Sequence, residues 1–315
     1  MSESMGRFGT VIAAFALFAA LALSAPNFTA PMNLLNIAKQ ASYLAILAIG
    51  FTLALLAGEL DLSVGQVATL ASVVCAALVF AGQPWPLAAV AGFLAALLCG
   101  VVNGVAVTRF KIPSLIATLA VGVIATGIAF LITGGIAYVG RFPAGFVALG
   151  RGTLGPVPLP VVWLVLLLAA AWFLVKRTRT GAALLATGEA PEAARLAGID
   201  IARIKLLGLV LSAACAGFCG LVLTAALASS SPTIANEFLM RGIAAVLLGM
   251  TTIEPGRPNL AGTLLGTLVI AGLGNGLTLL GFPYYVQDIA LGLIMLASVG
   301  FSARFLTEAA FGGAR

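Results

Sequence analysis

KRTRTGAALLATGEAPEAARLAGIDIARIK, residues 176–205, is the longest charged break in an otherwise apolar chain. It holds six of the sixteen Lys and Arg (Lys176, Arg177, Arg179, Arg195, Arg203, Lys205) and three of the ten acids (Glu189, Glu192, Asp200). Long apolar runs flank it on both sides. A chain with 62% hydrophobic and 8% charged residues keeps its charge for particular places. The window therefore reads as the largest segment outside the membrane in a polytopic membrane protein, and as the place where a partner pushes on it.

Mean hydropathy is +1.17, and runs of about 20 apolar residues match the hydrocarbon thickness of a bilayer. Their Ala, Leu, Val and Gly content suits closely packed membrane helices. The sequence predicts an all-α polytopic membrane protein, one transmembrane domain over 1–315. The net charge of +6 is dispersed between apolar spans, so membrane orientation explains it better than nucleic-acid binding. The chain has no histidine, which excludes imidazole metal sites and Ser–His or Cys–His catalysis. Cys75, Cys99, Cys215 and Cys219 all lie in apolar runs and read as small apolar helix residues. No metal site, cofactor or disulfide framework is expected.

Ten spans are predicted: 8–25, 34–57, 62–81, 87–107, 114–133, 158–175, 206–228, 238–253, 259–280 and 284–303. The first reads as a retained membrane helix, with a cleaved signal peptide as the alternative because small residues precede Pro26. The eighth is marginal for crossing, and a tilted or re-entrant path is open to it. Residues 134–157 read as a Gly- and Pro-rich loop, and Ser229–Arg241 as a polar connection. With the N-terminus inside, twelve of the sixteen basic residues are cytoplasmic; Lys39, Arg141, Arg151 and Arg241 lie outside. The positive-inside rule therefore selects N-in and C-in.

An internal repeat is visible. Pro86–Gly104 (PLAAVAGFLAALLCGVVNG) and Pro258–Gly276 (PNLAGTLLGTLVIAGLGNG) align at a constant offset of 172, pairing Gly100 with Gly272 and Asn103 with Asn275. The two spans run in opposite directions, the pattern of an inverted-topology repeat. Chance agreement between two Ala/Gly/Leu-rich helices is the competing explanation. Each copy carries Gly-x-x-x-Gly, which lets a neighbouring backbone come close.

The chain contains no Gly-x-x-x-x-Gly-Lys-Ser/Thr, so an ATP motor would have to be a separate polypeptide. Within the charged window, Glu189 to Gly198 reads as one short helix outside the bilayer. Pro191 suits its first turn, Glu189 and Glu192 its positive end, Arg195 its negative end, and Gly198 a left-handed stop. An ordinary solvated loop is the alternative.

From about residue 30 onward the chain resembles the permease subunit of ribose-type sugar ABC importers. The matching text includes Gly58-Glu59-Leu60-Asp61-Leu62-Ser63-Val64-Gly65, similar to that family's Gly-Gly-Ile-Asp-Leu-Ser-Val-Gly. It also includes Asn103-Gly104, Ile112 to Leu119, Gly188 to Ile199, Gly262 to Gly266 and Asn275-Gly276-Leu277. The chain departs from the family at Asn236-Glu237-Phe238-Leu239 and Gly249-Met250-Thr251-Thr252, where relatives often have Gly-Tyr-Glu-Leu and Gly-Gly-x-Ser. The resemblance implies a bacterial inner-membrane permease that works as a pair, with two cytoplasmic ATPases and a periplasmic sugar-binding protein. It also implies a coupling helix within 188–199, with Gly188, Glu189, Glu192, Ala193, Ala194, Arg195, Gly198 and Ile199 as the ATPase-coupling residues. A branched-chain amino-acid permease is the near alternative, and a stand-alone ion-coupled transporter a more distant one.

Five further residues are candidates for the translocation path or its gate: Glu59, Asp61, Ser63, Asn103 and Asn275. Acids near membrane depth are costly and mark function. Glu59 and Asp61 read either as sugar contacts or as gate elements, with Asp61 or Ser63 capping the third helix. Asn103 and Asn275 read as polar links between helices.

Overall fold

Prolines mark many of the helix starts, where a missing N–H costs nothing. The computed structural model describes residues 2–254 and 256–311, with side chains described over 11–254 and 256–298. In chain order the first helices are α1 (Ser2–Ser24), α2 (Pro31–Leu56), α3 (Val64–Phe80), α4 (Trp85–Thr108) and α5 (Ser114–Thr133). Then come strand β1 (Tyr138–Val139), α6 (Ala144–Arg151) and strands β2 (Thr153–Leu154) and β3 (Val157–Pro158). After these lie α7 (Leu159–Arg177), α8 (Arg179–Glu189), α9 (Pro191–Leu196) and α10 (Ile201–Leu227). Strand β4 (Ser229–Ser230), α11 (Asn236–Gly249), α12 (Leu260–Leu279) and α13 (Tyr284–Phe311) complete the chain. Proline occupies the first turn of α2, α4, α7 and α9.

A helix stands at each of the ten expected spans, and among the described residues six of them (α2, α4, α5, α7, α10 and α12) are long and apolar enough to cross a membrane. The centre is the pair α2 and α10. From Ala41 to Leu56 every residue of α2 is buried, because α7, α10, α11 and α12 all pack on it. Helix α10 packs on α3 and α4 as well. Helix α5 covers α3 and α4, α13 covers α11 and α12, and α1 leans on α12. The outward faces of α4, α5 and α7 expose Leu94, Leu98, Val123, Leu131 and Phe173, side chains that suit lipid. The eighth run is the 14-residue α11, about 21 Å long at 1.5 Å per residue and shorter than a hydrocarbon core. Its Ala244, Ala245 and Val246 are fully buried, so protein surrounds its middle.

Several boundaries differ from the sequence reading. The third helix starts at Val64 rather than 62. The seventh starts at Ile201 rather than 206, because Asp200 caps it: Arg203 N donates to Asp200 Oδ1 at 3.1 Å. Arg203 and Lys205 therefore stand on the first turns of α10. Residues 134–157 are not irregular throughout. They contain α6, whose Phe146 is fully buried, and the β2–β3 hairpin, while β1 pairs antiparallel with β4. In the expected polar connection, α11 already begins at Asn236, which puts Glu237 and Arg241 one turn apart and ion-paired at 3.1 Å.

The two Gly-x-x-x-Gly pairs meet different neighbours. A Cβ on Gly100 or Gly104 would meet the backbone of α10 at Val210 and Leu206, 3.0 and 3.1 Å away. On Gly272 and Gly276 it would meet only side chains of α1, Phe18 and Leu21. The close approach of backbones expected for both copies is thus seen in the first alone.

Candidate coupling site

One end of the bundle gathers the charge. There the C-termini of α2, α7, α8 and α11 lie beside the N-termini of α5, α10 and α12. Among the described residues three ion pairs cross between segments: Lys205 Nζ to Glu59 Oε1 at 2.6 Å, Arg257 Nη1 to Glu189 Oε1 at 3.1 Å, and Lys176 Nζ to Glu254 Oε1 at 3.5 Å. Each has one member in the window 176–205. The window is therefore not a free loop but is tied to the turn 57–63 and to Glu254 and Arg257, which lie between α11 and α12.

The window folds as two helices rather than one. Thr178 Oγ1 accepts from Gly181 N at 3.0 Å and starts α8, whose Gly181, Leu184 and Thr187 form a buried face. This corrects the place of Glu189: it follows Gly188 as the last residue of α8 instead of opening the short helix, since Ala190 breaks the run with φ −149°. Gly188 points inward. A Cβ there would sit 2.5 Å from Leu56 O and 3.1 Å from Gly58 N, so only glycine lets α8 rest its backbone on the turn after α2.

The short helix is α9, with Glu192 in its first turn and Arg195 in its last, joined at 2.6 Å. Ala194 is buried and seats α9 on the body, whereas Glu192, Ala193, Arg195 and Gly198 face out and Ile199 is half-buried. Gly198 ends the helix in the left-handed conformation, φ +83°, with its N–H on Arg195 O and that of Ile199 on Ala194 O, each at 3.0 Å. Sequence reading passed over Leu196. It is 86% exposed at the tip of α9, a large apolar side chain held out on a rigid turn. Its signal in the sequence was a Leu one residue after an Arg that closes a short, charged helix.

The turn 57–63 gathers four of the five path or gate candidates. Glu59 is 3% exposed and held by Lys205. Asp61 is fully buried; its Oδ1 accepts from Ser63 N at 3.0 Å and from Ser63 Oγ at 2.5 Å. Asn103 Nδ2 donates to Ser63 Oγ at 2.9 Å. Neither Asp61 nor Ser63 caps α3 through its side chain. Ser63 is itself in a helical conformation, φ −92° and ψ −7°, whereas a capping side chain reaches the next turn from extended backbone. Asp61 instead satisfies the amide of Ser63. The turn is also tied to α5: Leu60 N donates to Ser114 Oγ, Leu62 N to Thr118 Oγ1, and Thr118 Oγ1 to Leu60 O. Asn275 stands apart from this group. It exchanges two hydrogen bonds with Asn33, at 2.9 and 3.0 Å, and so links α12 to the start of α2.

Among the described residues no group of three or more Cys, Asp or Glu side chains is placed to hold a metal ion. A family model described as branched-chain amino acid transport system / permease component matches residues 33–299. The chain belongs to this permease family. It is also similar to the ribose import permease protein of Bacillus subtilis (strain 168), 33% identical over 94% of this chain and 92% of the relative. The ribose import permease protein of Escherichia coli (strain K12) is 34% identical over 92% and 91%. The galactofuranose transporter permease protein of the same strain is 34% identical over 85% and 78%. No solved structure matches the chain. The permease is a multi-pass protein of the inner membrane and not an enzyme; in ABC transporters of this kind ATP is hydrolysed by a separate partner.

Proposed function

We propose that the permease moves a monosaccharide, a ribose-like sugar or polyol, across the inner membrane. It acts as one of two permease subunits, the same chain or a sister chain, driven by two cytoplasmic ATPases and fed by a periplasmic binding protein. Relatives named for ribose and galactofuranose import align with most of the chain, which supports a sugar over a branched-chain amino acid. Membership in this family also weighs against a stand-alone ion-coupled transporter.

In this reading residues 1–315 form a single transmembrane domain of ten crossings, with both termini and the charged end in the cytoplasm. Arg7 and Arg304 lie where no side chain is described, and Arg315 lies outside the described residues. An inverted repeat underlies the fold. The offset of 172 carries Val64, the first residue of α3, onto Asn236, the first of α11, and α2, α4 and α5 onto α10, α12 and α13. The long first helix of each unit packs in the other unit: α2 on α11 and α12, α10 on α3 and α4. Alternating access is then movement of one interlocked unit against the other.

The observation that carries the coupling assignment is α9 itself: short, seated by Ala194, and presenting Leu196 to an ATPase. Replacement Leu196→Glu leaves membrane insertion unchanged. It is expected to lower co-purification of the ATPase about tenfold, as loss of a buried apolar anchor does, and to abolish sugar uptake in cells. Normal co-purification and uptake would place the contact elsewhere. Uptake that survives ATP depletion but collapses with the proton gradient would sink the importer reading.

A further inference from the structure

We propose that the Glu59–Lys205 ion pair is the positioning contact that passes movement of α9 to the turn between α2 and α3. The proposal rests on α9 being the ATPase contact. The link between α9 and α10 is stiff. Only residues 197–200 separate α9 from α10, and nearly every joint in that link is bonded. Gly198 and Ile199 donate back into α9, Asp200 caps α10 through Arg203 N, and its other oxygen meets Arg203 Nε at 2.9 Å. A push on α9 therefore tilts the foot of α10, and Lys205 lies in the second turn of that foot.

Among the described residues three ion pairs tie the window to the rest of the bundle, and one of the three is sheltered from water. The side chains of Arg257 and Glu189 are 60% and 41% exposed, and those of Lys176 and Glu254 are 50% and 43%. Water screens such pairs and leaves them weak. The Glu59 side chain is 4% exposed and that of Lys205 29%, at a separation of 2.6 Å. Taking one charge away from a buried partner is strongly unfavourable, so these two move together. The direction of force matters too. Gly188 touches the same turn by backbone contact, which can push it but cannot pull. The ion pair can do both.

Past Glu59 the linkage continues. The turn is bonded to Ser114 and Thr118 of α5 and, through Asp61 and Ser63, to Asn103 of α4. These are packed elements around α3, and displacement of Glu59 reaches all of them. Spatial continuity alone does not establish coupling, so the test reads movement directly.

The permease, its four native cysteines replaced and a cysteine introduced by Leu62→Cys, is assembled with its ATPases in liposomes. Maleimide labelling of that cysteine is then timed without nucleotide and with ATP plus vanadate. The expected result is a labelling rate that changes about tenfold between the two states, the size of an ordinary allosteric coupling. Lys205→Met is expected to remove the change while ATP is still hydrolysed. Lys205→Arg, and Glu59→Lys combined with Lys205→Glu, are expected to restore it. A nucleotide-dependent change that persists in Lys205→Met overturns the proposal, as does a turn whose labelling never changes. Failure of Lys205→Met to assemble would make the pair a folding element and also overturn it. The underlying reading of α9 fails by a different sign, namely ATPase binding that is indifferent to Leu196→Glu.

Discussion

Two turns of this permease do the same architectural job with opposite chemistry. Residues 57–63 lead from α2 into the α3–α4 hairpin, and residues 228–235 lead from α10 into the α11–α12 hairpin. The first contains two buried acids and leans on a lysine. The second, Ala-Ser-Ser-Ser-Pro-Thr-Ile-Ala, has no charge at all. It is held by short hydroxyls and backbone: Ser72 Oγ meets Ser230 Oγ at 2.7 Å and Thr224 Oγ1 at 2.5 Å, Ala235 N donates to Thr69 Oγ1 at 3.2 Å, and β4 pairs with β1. Hydroxyl bonds act over a few tenths of an ångström and fix one arrangement. Ion pairs act further and are retained while their side chains swing. Hydroxyls brace both turns, so what sets 57–63 apart is its charge; under the coupling proposed above, that end moves and the uncharged end holds.

The strongest way to break that contrast is to jam the moving side. Gly188→Leu drives a side chain into Leu56 O and Gly58 N. Such overpacking is expected to cost about 1–3 kcal/mol and to lower the thermal midpoint of the purified permease. An unchanged midpoint would mean that α8 lifts freely from the turn. On the holding side, Ser72→Ala removes the hydroxyl shared by Thr224 and Ser230. A loss of about 1 kcal/mol is expected, with sugar transported per ATP unchanged. If that ratio fell instead, the hydroxyl end would be part of the moving machinery. The smallest effect belongs to Glu192→Gln, which breaks an exposed pair within α9. Stability should change by less than about 0.5 kcal/mol, and a larger shift in the melting curve would show that the pair rigidifies α9.

Much of this was legible in order of amino acids. Apolar runs located the helices, and scarce charge located the end where they are tied together. Gly198 announced its left-handed stop. What stayed hidden depends on distance in sequence. Nothing near Glu59 names Lys205, because the lysine belongs to α10, a helix far along the chain that packs beside α2. Helix α8 was not anticipated because the sequence marks only one short helix, Glu189 to Gly198, in the window. The glycines near its two ends, Gly181 and Gly188, show their role only as close backbone contacts. Helix α6 was missed because residues 134–157 read as a Gly- and Pro-rich loop, whereas Gly150 lets it approach the backbone of α10 at Ala226. Leu196 was overlooked because single exposed leucines are ordinary; only its place on α9 gives it meaning.

The pairing of Glu59 with Lys205 also has an electrical side. A bacterial inner membrane sustains a voltage, and one unit charge crossing it exchanges about 2.3 kcal/mol per 100 mV. Joined at 2.6 Å, the two residues travel as a neutral dipole, and the foot of α10 can shift along the membrane normal without doing work against that field. Movement of this pair would then add no voltage dependence of its own to transport driven by ATP.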